Sequence, residues 1–278
     1  MQTLLKSKTN EVIIDTNGPT IIIGESINPT RRKKLITTLQ ENNYDFVLEL
    51  AESQIQAGAD VLDVNVGFPG VDDVKLLPEV VKAISEKYDI PLCLDSPNPK
   101  ALEVALAVAP GKCLINSVNG EEASLEAIIP IAKEYGAALI GLTMDDDGIT
   151  QDPDKRLAIA GKIIERAGKA GIPINDIVID SLAMAVSADH FTGLVTLETI
   201  EKVNKEFGVN QTLGASNISF GLPGRNVVNQ AFMTACIIKG VSCPITNPVH
   251  LTGVVRATDL LLGKDEYSMH YITHFTSL

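Results

Sequence analysis

The feature that most restricts this chain is a recurrence. Eight times a short apolar run carries a polar residue at or near its end and gives way to a stretch with helical spacing. The runs are 20–25 (TIIIGE), 61–66 (VLDVNV), 91–96 (PLCLDS), 113–118 (CLINSV), 138–144 (ALIGLTM), 177–182 (IVIDSL), 212–219 (TLGASNIS) and 243–247 (CPITN). Runs that are apolar on both faces suit a parallel sheet covered by helices. Between them, Leu125, Ile128, Ile129 and Ala132 form a one-sided stripe, and Val228, Ala231, Phe232 and Ala235 repeat its spacing. Asn98-Pro99 and Asp152-Pro153 read as helix starts, and Gly58, Gly136 and Gly171 as helix ends. Strands and helices alternating every roughly 22 to 41 residues predict a (β/α)8 TIM barrel. The 278 residues read as one domain over 1–278, with 1–19 an N-terminal extension. In that extension Glu11–Asp15 reads as a short strand plugging the barrel bottom.

Barrels of this kind carry their chemistry where the strands end. Those ends read Glu25, Asp63 with Asn65, Asp95, Asn116, Asp180, Asn217 and Asn247. Asp and Asn also favour loops and helix caps, which explains any one of them alone. Seven of eight strand ends carrying such a residue toward one pocket make the set informative. It is rich in hydrogen-bond acceptors and amides and holds no His, Cys or Lys. Such a set suits a flat heterocycle with an amino group beside a ring N–H, a pterin or a purine. Phosphates need donors, and neither a P-loop nor G-x-G-x-x-G occurs.

Composition removes other classes. A formal charge of −12 argues against nucleic acid. No apolar run approaches a membrane span, and the polar first ten residues lack a signal-peptide core, so a cytoplasmic protein is expected. Cys93 and Cys113 lie inside apolar runs and read as reduced core thiols; packing also accounts for Cys236 and Cys243.

Read in order, Gly24-Glu25-Ser26-Ile27-Asn28, the segment 58–67 (GADVLDVNVG), Leu94-Asp95-Ser96, Ile115-Asn116-Ser117, Ile179-Asp180 and the segment 214–219 (GASNIS) span nearly the whole chain. Together they resemble the pterin-binding methyltransferases, most of all the methyltetrahydrofolate:corrinoid protein methyltransferases. The resemblance implies a TIM barrel, a homodimer, and tetrahydrofolate or 5-methyltetrahydrofolate as substrate. It also implies a corrinoid (cobalamin) on a separate partner protein that docks over the barrel mouth. It places Asp95, Asn116 and Asp180 on the pterin, Asn217 at its N5 and Arg225 beside it. Glu25, Asn28, Asp63, Asn65 and Ser216 complete the implied binding set. Asn217 and Asp95 are the implied catalytic pair: the Asn217 carbonyl accepts the N5 proton, and the Asp95 charge favours a cationic N5. No metal ligand set is expected.

Two other readings compete. A dihydropteroate synthase would show a Gly-Gly-Glu-Ser type loop after the second strand, where this chain reads Asp63-Val64-Asn65-Val66-Gly67. A non-catalytic folate-binding subunit would not need Asn217. The chain departs from the family at Ser26, where Arg is frequent, and in its own loop 220–224 (FGLPG). A corrinoid-binding string Asp-x-His-x-x-Gly is absent; in 188–193 (ADHFTG) the Asp stands one place too near the His.

Four smaller signals remain. Arg31, Arg32, Lys33 and Lys34 read as a solvated helix start, or as a grip on the folate glutamyl carboxylates or on an acidic partner rim. Asp145, Asp146 and Asp147 read as a tight acidic turn, and His270 and His274 as two residues on one side of a helix. Met144 and Phe220 belong to the mouth, against the pterin face or the core rim.

Overall fold

A computed structural model describes residues 1–276. Eight parallel strands form the sheet: β3 (Ile23–Ile27), β4 (Val61–Asn65), β5 (Leu92–Asp95), β6 (Leu114–Asn119), β7 (Ala138–Leu142), β8 (Ile177–Asp180), β9 (Asn210–Thr212) and β10 (Ile245–Thr246). They run in the order β10-β3-β4-β5-β6-β7-β8-β9. Cys243 N donates to Gln211 O at 3.1 Å and Ile245 N to Leu213 O at 3.0 Å, which joins the two edges. The sequence pattern therefore does fold as a TIM barrel.

The helices are α1 (Lys33–Gln40), α2 (Asp45–Gln56), α3 (Asp73–Lys87), α4 (Pro99–Leu106), α5 (Glu122–Tyr135), α6 (Pro153–Lys169), α7 (Thr192–Phe207), α8 (Arg225–Lys239), α9 (Pro248–Leu261) and α10 (Met269–Thr276). Asn98 and Asp152 cap α4 and α6 by accepting from Lys100 N and Asp154 N, each with proline in the first turn. Gly136 ends α5 in the left-handed region at φ 62°, where a side chain would be strained. No described helix is long and apolar enough to cross a membrane.

Strand alternation sorts the core into two shells. Leu62, Leu94, Ile115, Leu139 and Ile179 pack outward among the helices. Ile23, Val61, Cys93, Leu114, Ala138, Val178 and Ile245 fill the barrel interior together with Leu5 and Ile14. Those last two come from an antiparallel hairpin of β1 (Gln2–Lys6) and β2 (Glu11–Asp15). The hairpin meets the ends where strands begin. Lys6 bridges Lys112 ahead of β6, and Asn210 Nδ2, opening β9, donates to Thr3 Oγ1 and Ile14 O at 2.9 Å. At roughly 1.5–3 kcal/mol for each fully buried aliphatic side chain, these shells dominate the folding energy.

Three sequence expectations are corrected. Pairing in the first barrel strand starts at Ile23 rather than Thr20, because Thr20 N and Oγ1 are engaged by Asp259 and Ile22 N by Asp60. Of the run expected over 212–219 only Thr212 is strand, closing a strand that spans Asn210–Thr212; Ala215–Ser219 curls into a 3-10 turn in which Asn217 N bonds Gly214 O. The stripe of α8 is rotated by one position. Asn229, Phe232, Met233, Cys236 and Ile237 are buried and Ala231 is exposed, since small alanines gain less from burial than Met and Ile.

Candidate functional site

Period-two alternation decides which strand-end groups share a space. Glu25 lies two residues beyond interior Ile23, Asp63 two and Asn65 four beyond Val61, Asp95 two beyond Cys93, Asn116 two beyond Leu114, and Asp180 two beyond Val178. Each therefore points into the barrel, above its apolar floor. The hairpin shuts the opposite end, so ligand access is from the strand C-termini.

The polar groups pair across neighbouring strands. Asn65 Nδ2 donates to Asp95 Oδ2 at 2.9 Å, and its Oδ1 accepts from Gly67 N at 2.7 Å. One layer down, Asn116 Nδ2 donates to Asp63 Oδ1 at 3.1 Å. On the far wall Ser216 Oγ donates to Glu25 Oε1 at 2.7 Å. Arg225 holds that turn in place, with Nη2 on Ser216 O at 2.8 Å and Nε on Ser219 Oγ at 2.9 Å. Its guanidinium lies 4.6 Å from the Phe220 ring centre. Asp180 Oδ1 accepts from Leu182 N at 2.7 Å, while Oδ2 meets no protein donor among the described residues. A cavity of about 470 Å³ runs from Asp95 and Asn116 to Glu121 and Ser124 at the start of α5.

Burial raises every carboxyl in this layer, because ionised groups lose their hydration. Asp180 is pushed up to about 7 by burial, against the opposing Leu182 N–H and the Arg156 charge. Asp63 stands well above the usual range, first by burial and then by the charge of Asp95; Asn116 and Cys93 oppose this. Asp95 is also raised by burial, with the Asn65 amide opposing. Glu25 is raised by burial, with Ser216, Arg32 and Arg225 opposing. The layer holds more acceptors than the protein supplies donors. A ligand edge bearing N–H groups fits that deficit.

Not every expected residue joins the layer. Asn28 Oδ1 accepts from Thr30 N and shapes a turn outside it. Asn247 caps α9 by accepting from Val249 N, the ordinary role open to a strand-end Asn. Asn217 stands exposed on the 3-10 turn at the rim, with no side-chain hydrogen bond among the described residues. The basic run divides. Arg32 Nη1 turns inward to Ser26 O at 2.7 Å, Arg31 lies 5.9 Å from the Phe220 ring centre, and Lys34 sits over Phe46 at 3.6 Å. Asp145–Asp147 form a tight turn in which Asp147 N and Gly148 N bond Asp145. His270 and His274 lie on α10; no group of three His, Cys, Asp or Glu among the described residues could hold a metal ion.

Two residues escaped the sequence reading. Thr143 donates through N and Oγ1 to Asp180 O at 3.1 and 2.9 Å. Arg156 lies wholly buried behind Asp180. The available signal was a cation on an apolar stripe: Arg156 shares the buried face of α6 with Ile159, Ala160 and Ile163.

The model of the pterin binding enzyme family matches residues 24–247. A methylcorrinoid:tetrahydrofolate methyltransferase of Eubacterium limosum is 31% identical over 263 residues, covering 92% of this chain and 96% of that protein. Methionine synthase of Mycobacterium tuberculosis is 30% identical over 240 residues, 82% of this chain but only 20% of the longer protein. In shape, a Yersinia pestis dihydropteroate synthase in complex with a sulfonamide drug superposes with a TM-score of 0.74 at 16% identity, over 94% of this chain and 99% of that one. The same enzyme with a pterine-sulfa conjugate gives 0.73. At such identity the likeness is one of fold.

Proposed function

The chain belongs to the pterin-binding enzyme family, and we propose that it is a methyltransferase working between folate and a corrinoid. The methyl group moves between N5 of (methyl)tetrahydrofolate and the cobalt of a corrinoid carried on a separate protein. The observation that carries this reading is 31% identity to a methylcorrinoid:tetrahydrofolate methyltransferase along nearly the whole of both chains. The inward layer of Asp95, Asn116 and Asp180 supports it, since a pterin edge supplies the N–H donors that this layer lacks.

In this reading Asp180 and Asn116 take the amino and ring N–H edge, and Asp95, oriented by Asn65, faces the reduced ring. Glu25, Asp63, Asn65, Ser216 and Arg225 hold the walls of the pocket. The cobalt of the docked corrinoid supplies the centre that takes or gives the methyl group. N5 takes up a proton from solvent at the open mouth, and when methyl then leaves, the bonding pair stays on nitrogen and neutral tetrahydrofolate results. Asn217, unengaged at the rim, accepts that N5–H through its carbonyl oxygen and stabilises the developing charge. Asp95 contributes through its negative charge. Methylation of tetrahydrofolate uses the same groups in reverse.

The partner docks over the mouth, where Phe220, Arg31 and Arg225 stand at the rim. The same reading makes the chain a cytoplasmic homodimer. Exposed Leu261, Tyr267 and Met269 offer an apolar face for a second copy.

The test is methyl exchange followed by corrinoid absorbance. Wild-type protein is mixed with methyltetrahydrofolate and a reduced corrinoid protein, or with tetrahydrofolate and the methylated form. Transfer in either direction is expected. Consumption of para-aminobenzoate and a dihydropterin pyrophosphate without methyl exchange would overturn the reading in favour of a dihydropteroate synthase.

A further inference from the structure

Arg156 is the largest of the fully buried side chains, at 0% exposure, and no ion pair engages it among the described residues. Its donors go to backbone carbonyls instead. Nε donates to Thr150 O at 2.8 Å, and Nη1 to Ser181 O at 2.8 Å and Leu182 O at 2.9 Å. Nη2 has no partner among the described residues. Burying a cation costs several kcal/mol even after relaxation, and apolar residues of similar volume often serve stability as well or better. Packing alone does not account for this arginine.

The carbonyls it grips show what it controls. Two of them belong to the residues directly after Asp180. Leu182 adopts φ 58°, a left-handed conformation that a leucine holds only when its surroundings enforce it. That conformation points Leu182 N at Asp180 Oδ1. The third carbonyl, Thr150 O, lies in the β7–α6 loop, so one guanidinium ties two mouth loops together.

We propose that Arg156 is a positioning residue for Asp180, clamping from behind the turn that aims this carboxylate and keeping a positive charge beside it. The proposal rests on the folate reading above. Burial raises Asp180, and the Arg156 charge acts in the opposite direction. The Cys243 thiol inside the barrel also senses Asp180; it is pushed up to about 12, chiefly by burial, and is therefore uncharged. Asp63, Asp95 and Cys93 influence one another across the neighbouring strands.

The experiment compares Arg156→Met and Arg156→Lys in the full chain. Two readouts are used: the ¹³C NMR titration of the Asp180 carboxyl without ligand, and the pH dependence of tetrahydrofolate binding. Arg156→Met should raise the Asp180 midpoint by about one pH unit or more, with a parallel rise in the pH at which binding is half lost; one unit corresponds to tenfold in affinity below that pH. Arg156→Lys retains the charge but not the fork, so the midpoint should stay near wild type while affinity at pH 9 falls several-fold.

An Asp180 titration in Arg156→Met identical to wild type would overturn the inference, even with a lowered melting temperature. Should the Met variant fail to fold, the Lys variant decides: unchanged affinity at pH 9 with an unshifted Leu182 amide resonance overturns it. If wild-type protein binds no tetrahydrofolate at any pH, the folate reading fails. The carboxyl titration needs no ligand and then decides alone whether Arg156 governs Asp180.

Discussion

The side-chain amide of Asn65, at the end of β4, donates to Asp95 Oδ2 on the adjacent β5 across 2.9 Å. Parallel register places the two residues side by side, and alternation turns both inward. Asn65 Oδ1 is already held by Gly67 N, so the amide is fixed as a donor and Asp95 as an acceptor. One carboxylate oxygen is thereby committed to the protein, while Oδ1 accepts from no protein donor among the described residues.

Removing that amide should disarm Asp95 without emptying the pocket. In Asn65→Ala the carboxyl loses the bond that opposes its upward shift. Folate affinity near neutral pH should fall about tenfold, the scale of one hydrogen bond to a charged group, and largely return at pH 9. Isothermal titration at the two pH values checks this; an equal loss at both would show that Asn65 does not act through Asp95 ionisation.

Asn217→Ala should separate binding from turnover. Its side chain stands at the rim with no hydrogen bond among the described residues, so its loss should leave the fold and the inward carboxyl layer in place. Methyl transfer should slow by about 10²-fold or more, as for other lost transition-state hydrogen bonds, while folate binding changes little. Stopped-flow corrinoid spectra measure the rate, and near-normal turnover would remove Asn217 from the mechanism.

Wild-type affinity for folate should depend on pH in a defined sense. Burial pushes Asp180 up to about 7, and its ionised form is the better acceptor for the N–H donors of a ligand. Binding should therefore weaken as pH falls from 8 through 7 toward 6. A dissociation constant constant across that window would contradict the role given to Asp180.

The same group should shape stability in the opposite sense. Its folded-state value lies above the ordinary 3.8, so between these limits the folded chain binds more protons than the unfolded one. The Asp180 contribution to stability therefore falls as pH rises from about 4 to about 7 and is flat above. Asp180→Asn removes this dependence and should match wild type near pH 4. At pH 8 it should melt higher by about 2–4 °C or more, even though it binds folate less well. Calorimetry at the two pH values tests it; a variant that melts lower at pH 8 would refute the assignment.

Gly24 is required by packing against α2. A Cβ there would stand 2.5 Å from Gln54 Oε1, which already accepts Ser26 N at 2.7 Å. Gly24→Ala should cost about 1–3 kcal/mol through displacement of this buried amide, readable by urea denaturation.

Much was legible in the sequence because it is local. Eight two-face apolar runs can be buried only as a parallel sheet under helices, so composition and spacing determined the barrel. The position of Asp63, Asp95, Asn116 and Asp180 two residues beyond an interior apolar residue determined that they face inward. The caps at Asn98 and Asp152 were equally local. The β1 strand was not legible, since its partly polar five residues gain their place only by pairing with β2 across the barrel floor.

What tertiary structure alone decided is which polar groups meet. Nothing in the spacing says that Arg32 leaves the basic run to bond Ser26 O. Nor does spacing pair Glu25 with Ser216, 191 residues away, or set Arg156 behind Asp180. Burial pattern is written in the periodicity of each segment. Hydrogen-bond partners and the electrostatics of buried carboxyls depend on distances between segments, and those exist only once the barrel has closed.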